Sequence, residues 1–233
     1  MDEKQVKKPP KTYRAKSGSQ PRKGKTMRAG RRGIQDLDEL YRGLSGFQAN
    51  TIGNSDHVTT YGEVADAGIM VLVDTFKRHG SPTKFSSSSR HFFDLGCGIG
   101  RLVVGVALLV PEIQAYGVEI VSDRVRSAHV ALSRVHSKSL AHRIQIRHGS
   151  FLDSSINYGS CCWIFLSNLC LKGDVHKLLA ARLEKECSPG CVIICSRELP
   201  LAADPSVFEK LESNLTVPMT WSATSTCYVY RRK

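Results

Sequence analysis

Asp94-Leu95-Gly96-Cys97-Gly98-Ile99-Gly100 is the stretch on which the reading of this chain turns. His91-Phe92-Phe93 before it is an apolar strand entry, and Leu102-Val103-Val104-Gly105-Val106-Ala107-Leu108-Leu109 after it is apolar on every side, as a buried helix is. A glycine-rich turn between strand and helix lets backbone approach a ligand that any Cβ would exclude. It also presents N–H groups at a helix N-terminus. A dinucleotide fingerprint needs G-x-G-x-x-G, and the third glycine of that pattern would fall on Arg101. The chain has instead an acid followed by G-x-G-x-G.

That pattern is similar to the one in class I S-adenosylmethionine methyltransferases. Their cofactor carries no pyrophosphate, so the loop skirts a methionine moiety and a ribose. Asp94, Gly96, Gly98, Gly100 and the adjacent Arg101 are therefore expected at the cofactor. Working outward, apolar strand and helix patterns alternate. Strands are expected over 90–95, 115–120, 143–148, 161–167 and 191–196, with helices over 101–109, 122–137, 173–186 and, more weakly, 205–213. Two last strands, 216–221 and 227–232, are joined too tightly for a helical crossover and must be antiparallel. The expected fold class is α/β: a Rossmann-like, doubly wound, mostly parallel seven-stranded sheet ending in an antiparallel hairpin, with ligands at the strands' C-terminal ends. Before it, Ile34, Leu37, Leu40, Tyr41 and Leu44 mark a short amphipathic helix. A longer one is expected from about Gly62 to His79, its inner face formed by Val64, Ala67, Gly68, Val71, Leu72 and Thr75, with Gly80 as its stop.

Charge is unevenly placed. The net charge is +12, and residues 1–33 hold twelve Lys/Arg against Asp2 and Glu3. With almost no large apolar side chains, this segment cannot offset chain entropy by burial and is expected to be a disordered basic tail. Such a tail neutralises phosphates, and Lys7-Lys8-Pro9-Pro10-Lys11 and Arg22-Lys23-Gly24-Lys25 also suit nuclear import. The expected division is the tail over 1–33, a helical segment and cofactor lid over 34–89, and the catalytic core over 90–233. The eight cysteines show neither a C-x-x-C pair nor a Cys/His cluster of zinc spacing, so no metal is expected. Most lie in apolar runs, as reduced buried thiols do, which suits an intracellular compartment. No signal-peptide pattern is seen, and no apolar run reaches the ~20 residues a membrane span needs.

The strand ends carry the chemistry. Glu119, closing Gly117-Val118-Glu119 about twenty residues past the loop, can accept hydrogen bonds from both ribose hydroxyls. Gly149-Ser150-Phe151-Leu152-Asp153 stands where methyltransferases hold adenine: Phe151 can stack on it and Ser150 can meet its amino group. Leu166-Ser167-Asn168-Leu169-Cys170 offers Asn168 as a polar carbonyl beside the transferred methyl. The prolines of an Asn/Asp-Pro-Pro-aromatic motif are missing there, which argues against a DNA-base methyltransferase.

Tyr61-Gly62-Glu63, Asp94 to Gly100, Gly117-Val118-Glu119, Ser167-Asn168-Leu169 and Thr220-Trp221-Ser222 with Tyr228 beyond it occur in the same order in one family. The chain resembles the disruptor-of-telomeric-silencing type of histone H3 lysine methyltransferases, which lack a SET domain, over roughly residues 50–231. Its compact size and tail resemble the kinetoplastid members. The resemblance implies that Tyr61 and Glu63 sit on a loop over the cofactor's methionine end. With Asn168, which would face the methyl, they form the implied catalytic set. Asp94, Gly96 and Glu119 would hold the amino acid and ribose, Phe151 would flank adenine, and Trp221 and Tyr228 would line the channel for the substrate lysine. Three positions depart from the family: Val64 where a threonine is common, Arg101 where a glutamine is common, and Ser150 in place of an aspartate, which lacks a carboxylate's charge assistance.

The implied reaction is methylation of a lysine in the histone H3 globular core of nucleosomes, with S-adenosylmethionine converted to S-adenosylhomocysteine and no metal. The implied partners are the nucleosome and its DNA, with no membrane. A monomer in the nucleus is expected. The competing readings are a methyltransferase acting on RNA or on a non-histone protein, and a catalytically weak chromatin-binding module of the same fold.

Overall fold

The computed structural model describes residues 36–47, 62–200 and 206–233. The expected tail over 1–33 and the lid residue Tyr61 lie outside these.

A helical turn over residues 36–40 buries Leu37, and Tyr41 follows it into the core. Helix α1 (Asp66–His79) buries Gly68, Ile69, Leu72, Val73, Thr75 and Phe76. It begins four residues later than the apolar pattern suggests, because Ala65 is extended (φ −68°, ψ 160°) and Val64 forms a β-bridge with Met219. The inner face is accordingly rotated: Ala67 is exposed and Ile69 and Phe76 are in the core. Arg78 and His79 hold Glu212 across the final hairpin.

The alternation that follows is β1 (His91–Leu95), α2 (Arg101–Leu109), β2 (Gln114–Glu119), α3 (Ser122–Ser133), a short α4 (Lys138–Ala141), β3 (Ile144–His148), β4 (Cys161–Leu166), α5 (Gly173–Glu186) and β5 (Val192–Cys195). Two long strands end it, β6 (Phe208–Met219) and β7 (Ser222–Arg232). The sheet order is β3-β2-β1-β4-β5-β7-β6. β1 to β5 are mutually parallel and β7 is antiparallel to both of its neighbours. This is the expected class I methyltransferase architecture.

Two expectations need correction. The weak helix over 205–213 is instead the first part of β6, so the hairpin is nearly twice as long as its apolar ends suggest. The helix over 122–137 stops at Ser133, and a separate turn, capped by the Ser137 hydroxyl, completes the connection.

Each face of the sheet has its own core. On one, α1, α2 and α3 pack over β1 to β3 and the hairpin, with Phe76 stacked on Trp163 at 5.0 Å. The Trp163 indole N–H donates to the Gly80 carbonyl at 2.6 Å, which satisfies the one polar atom of that buried ring. On the other, α5 and the 151–158 loop cover β4 and β5. β5 meets β7 only over Tyr228 to Arg231, so β7 before Tyr228 and its partner β6 project past the carboxyl ends of the parallel strands. That projection walls the cleft described next.

Candidate active site

The cleft opens at the carboxyl ends of β1, β2 and β4 and reaches the tip of the hairpin. Its floor is the glycine loop. Gly96, Gly98 and Gly100 all have left-handed φ (88°, 57° and 82°), which an L side chain rarely adopts. A Cβ at Gly96 would meet nothing within 4 Å, so it would stand in the cleft itself. The loop's first N–H groups are engaged within the fold rather than presented to a ligand. Gly96 and Cys97 donate to the Val118 carbonyl and Gly98 donates to Glu119 Oε2 at 2.8 Å. A loop whose amides are taken internally suits a ligand with no phosphate at this point. Gly117 is the counterpart on β2: a Cβ there would come within 2.6 Å of Cys97 Sγ, so the loop lies directly on the strand.

Asp94 and Glu119 are both buried in the cleft wall. Glu119 is fixed by the N–H groups of Gly98 and Val121, with the Arg124 guanidinium 3.9 Å away. Burial pushes the Asp94 carboxyl up to about 8, and the neighbouring Glu119 adds to it. A ligand's ammonium group beside these two acids would oppose that shift. The two buried acids fit the amino acid end and ribose of S-adenosylmethionine. Tyr41 does not line the cleft: it packs in the core behind the glycine loop, beside Ile146 and Ala128. Its hydroxyl is buried without a hydrogen-bond partner among the described residues, 3.5 Å from where a Cβ on Gly100 would stand.

The roof joins two segments far apart in sequence. The Glu63 N–H donates to Thr220 Oγ1 at 3.0 Å, and the Thr220 N–H donates to the Glu63 carbonyl at 2.8 Å. The Ala65 N–H donates to the Pro218 carbonyl at 3.1 Å. The Cε3–Cζ3 edge of the Trp221 indole abuts Gly62, where a built Cβ would stand 2.1 Å from Cε3. Gly62, Glu63 and Trp221 thus reach the cleft as one unit, with Trp221 still 47% exposed. Val64, Leu169, Cys170, Leu171 and Met219 complete an apolar approach.

Other expected residues lie as follows. Phe151 lines the cleft; Ser150 is exposed, and its hydroxyl accepts from the Leu152 N–H. Arg101 lines the cleft but spends its guanidinium on Asp38 and, at 2.7 Å, on Asp66, clamping the 36–40 turn to α1. Asn168 is wholly buried away from the cleft wall. Its Oδ1 accepts the Arg197 N–H at 2.7 Å, while its Nδ2 donates to the Arg197 carbonyl and contacts His176 Nε2 at 2.8 Å. Tyr228 pairs with Cys195 and packs with the α5-side core, so the structure does not bring it beside Trp221.

The family described as Histone methylation protein DOT1 matches residues 55–219. The chain belongs to that family. The DOT1 match takes in Gly62, Glu63 and Met219 and stops one residue short of Thr220-Trp221. A protein-lysine N-methyltransferase of Saccharolobus islandicus (strain REY15A) is 31% identical over 102 residues, 44% of this chain. The chain spans only 58% of that relative's length. Among solved structures, PKMT2 from Rickettsia typhi in complex with AdoHcy is similar at TM-score 0.43 and 18% identity, covering 54% of this chain and 24% of that one. The glycopeptide N-methyltransferase MtfA complexed with S-adenosyl-L-methionine is similar at TM-score 0.49 and 11% identity, covering 68% and 84%. The assignment of the fold rests on the strand order itself.

Proposed function

We propose that this DOT1-family chain is an S-adenosylmethionine-dependent protein-lysine N-methyltransferase acting on a lysine of the histone H3 core in nucleosomes. The observation that carries the reading is the joined roof. The segment Gly62-Glu63 and the hairpin tip Thr220-Trp221 are stitched together over a glycine loop and two buried acids. Family membership and the lysine methyltransferase relative support the same substrate class.

S-adenosylmethionine, when bound, supplies a methyl group on a sulfonium centre. Asp94 and Glu119 would hold its amino acid and ribose, and Phe151 its adenine. The chain's own part in the transfer is to deliver a neutral amine. A lysine has a solution pKa of about 10.4, and desolvation lowers it without a dedicated base. Trp221, Met219, Leu169 and Leu171 supply that apolar approach, and the exposed Trp221 face can hold the arriving cation beforehand. Glu63 is bound through its backbone to Thr220, so its role is to fix the roof. Asn168 acts behind the wall, holding the ends of β4 and β5 in register.

In this reading residues 1–33 contact nucleosomal DNA, residues 34–89 close the cofactor site, and the core from residue 90 carries the chemistry, in the nucleus. Radiolabelled methyl transfer to recombinant nucleosomes, free histone H3 and RNA tests it, with mass spectrometry to locate the product. Methyl-lysine on nucleosomal H3, reduced at least tenfold in Trp221→Ala, is the expected result. Label incorporated into RNA but not nucleosomes would overturn it.

A further inference from the structure

At the amino ends of the parallel strands, opposite the cleft, three cysteines converge. Cys161 opens β4, Cys187 caps α5 and Cys191 precedes β5. All three are buried, and their Sγ atoms lie within 4.8 Å of one another. Cys161 Sγ and Cys191 Sγ are 3.4 Å apart, and Cys187 Sγ completes the triangle. The segment Cys187-Ser188-Pro189-Gly190-Cys191 folds back tightly: the Cys191 N–H donates to the Ser188 carbonyl, and Gly190 is left-handed at φ 84°. Cys187 and Cys191 form a C-x3-C pair, within the C-x2–4-C range of structural zinc sites, so the expectation of no metal, drawn from the lack of a C-x-x-C pair, does not exclude this one. The third thiol comes from a distant strand, so the cluster is hidden from a reading of local spacing.

We propose that Cys161, Cys187 and Cys191 form a structural zinc site. Zinc–thiolate bonds of ~2.3 Å in a tetrahedral arrangement place sulfurs ~3.8 Å apart, within the range these thiols already occupy. On binding, three S–H bonds give up their protons to solvent and three Zn–S bonds form, leaving one net negative charge. Arg232 stands beside the cluster to offset it. Its charge acts on Cys187, its backbone brackets the turn through Gly190 and Cys191, and its Nε is buried without a hydrogen-bond partner among the described residues. The Tyr158 carbonyl accepts the Cys161 S–H at 2.8 Å and loses that donor when the proton leaves; the fourth position falls to a water or an exogenous ligand. The ion would tie the C-terminus of α5 to β4 and β5.

Plain packing is the competing account, since reduced cysteines behave as small apolar side chains. Elemental analysis and Co²⁺ substitution of the full chain, purified under reducing conditions, separate the two. One zinc per chain is expected, and one Co²⁺ giving sulfur-to-cobalt charge transfer. Cys187→Ser and Cys191→Ser should lose the ion, while Cys170→Ser, at an exposed cysteine, should keep it. A folded wild-type chain that takes up neither zinc nor Co²⁺ overturns the proposal whatever the variants do. An ion retained equally by Cys187→Ser and Cys191→Ser also overturns it.

Discussion

Asp94 shows how a single residue's burial becomes a measurable property of the site. Its carboxyl is pushed up to about 8 by burial and then by Glu119, against 3.8 for an ordinary aspartate. Between these values the native chain holds a proton that the unfolded chain releases, so stability falls as pH rises, and the loss is complete above about 8. The ligand-free melting temperature should therefore drop between pH 6 and 8 by several degrees more in the wild type than in Asp94→Asn. The same variant should bind S-adenosylmethionine at least tenfold more weakly. Parallel melting curves for the two proteins would remove Asp94 from this role. Asn168 makes the contrasting case. Asn168→Ala leaves the half-buried N–H and carbonyl of Arg197 without their Asn168 partner and loosens His176, whose pKa is held down by burial and by Arg197. An unmet buried polar group costs about 1–3 kcal/mol, so its melting temperature should fall by several degrees. Activity measured well below that temperature should fall far less than in Trp221→Ala. A sharp loss of turnover at unchanged stability would instead put the amide at the reacting atoms.

Elements were legible where one pattern ruled them. α2 and α5 have the boundaries their apolar runs suggest, because glycines and polar turns bound both. β6 was not legible. Val207, Phe208 and Leu211 stand at helical spacing, and shifts of register between Lys210 and Glu212 and between Glu212 and Leu215 break the alternation a strand should show. Only pairing with β7, a long-range contact, makes this segment a strand. The floor of the site was legible because glycines with left-handed φ leave a mark in sequence. The joining of the roof was not, since it depends on two segments meeting across the fold. Gly68 measures that meeting. Replacing a helix-interior glycine by alanine ordinarily gains about 1 kcal/mol. Here the new Cβ would stand 2.1 Å from the Pro218 carbonyl, a backbone atom with little room to move. Overpacking of this kind costs about 1–3 kcal/mol, so the clash prevails. Thermal melts should show Gly68→Ala less stable than wild type, and Gly173→Ala, where a Cβ meets nothing within 4 Å, as stable or slightly more so. A stabilised Gly68→Ala would mean that α1 does not rest on the hairpin.

The whole molecule divides its charge as its proposed substrate would require. Of a net +12, residues 1–33 hold twelve Lys/Arg against two acids, leaving the rest of the chain close to neutral. Among the described residues no helix is long and apolar enough to cross a membrane. Most of the described arginines are also engaged within the fold: Arg101 on Asp38 and Asp66, Arg147 on Asp153, Arg182 on Glu186, Arg231 on Glu209. The core therefore has little charge to spare for phosphates, and the tail is the main source of DNA affinity in this reading. A protein that neutralises six to ten phosphates loses about a thousandfold or more in affinity between 50 and 200 mM salt. The full chain on nucleosomes should show a dependence of that order, and a chain lacking residues 1–33 should show a much shallower slope and weaker binding at low salt. Its affinity for S-adenosylmethionine should be unchanged, because Asp94, Glu119 and the roof are all outside the deletion. If the truncated chain bound nucleosomes with the same salt slope, the core would have to carry a phosphate-binding face of its own, and the tail would be left with nuclear import.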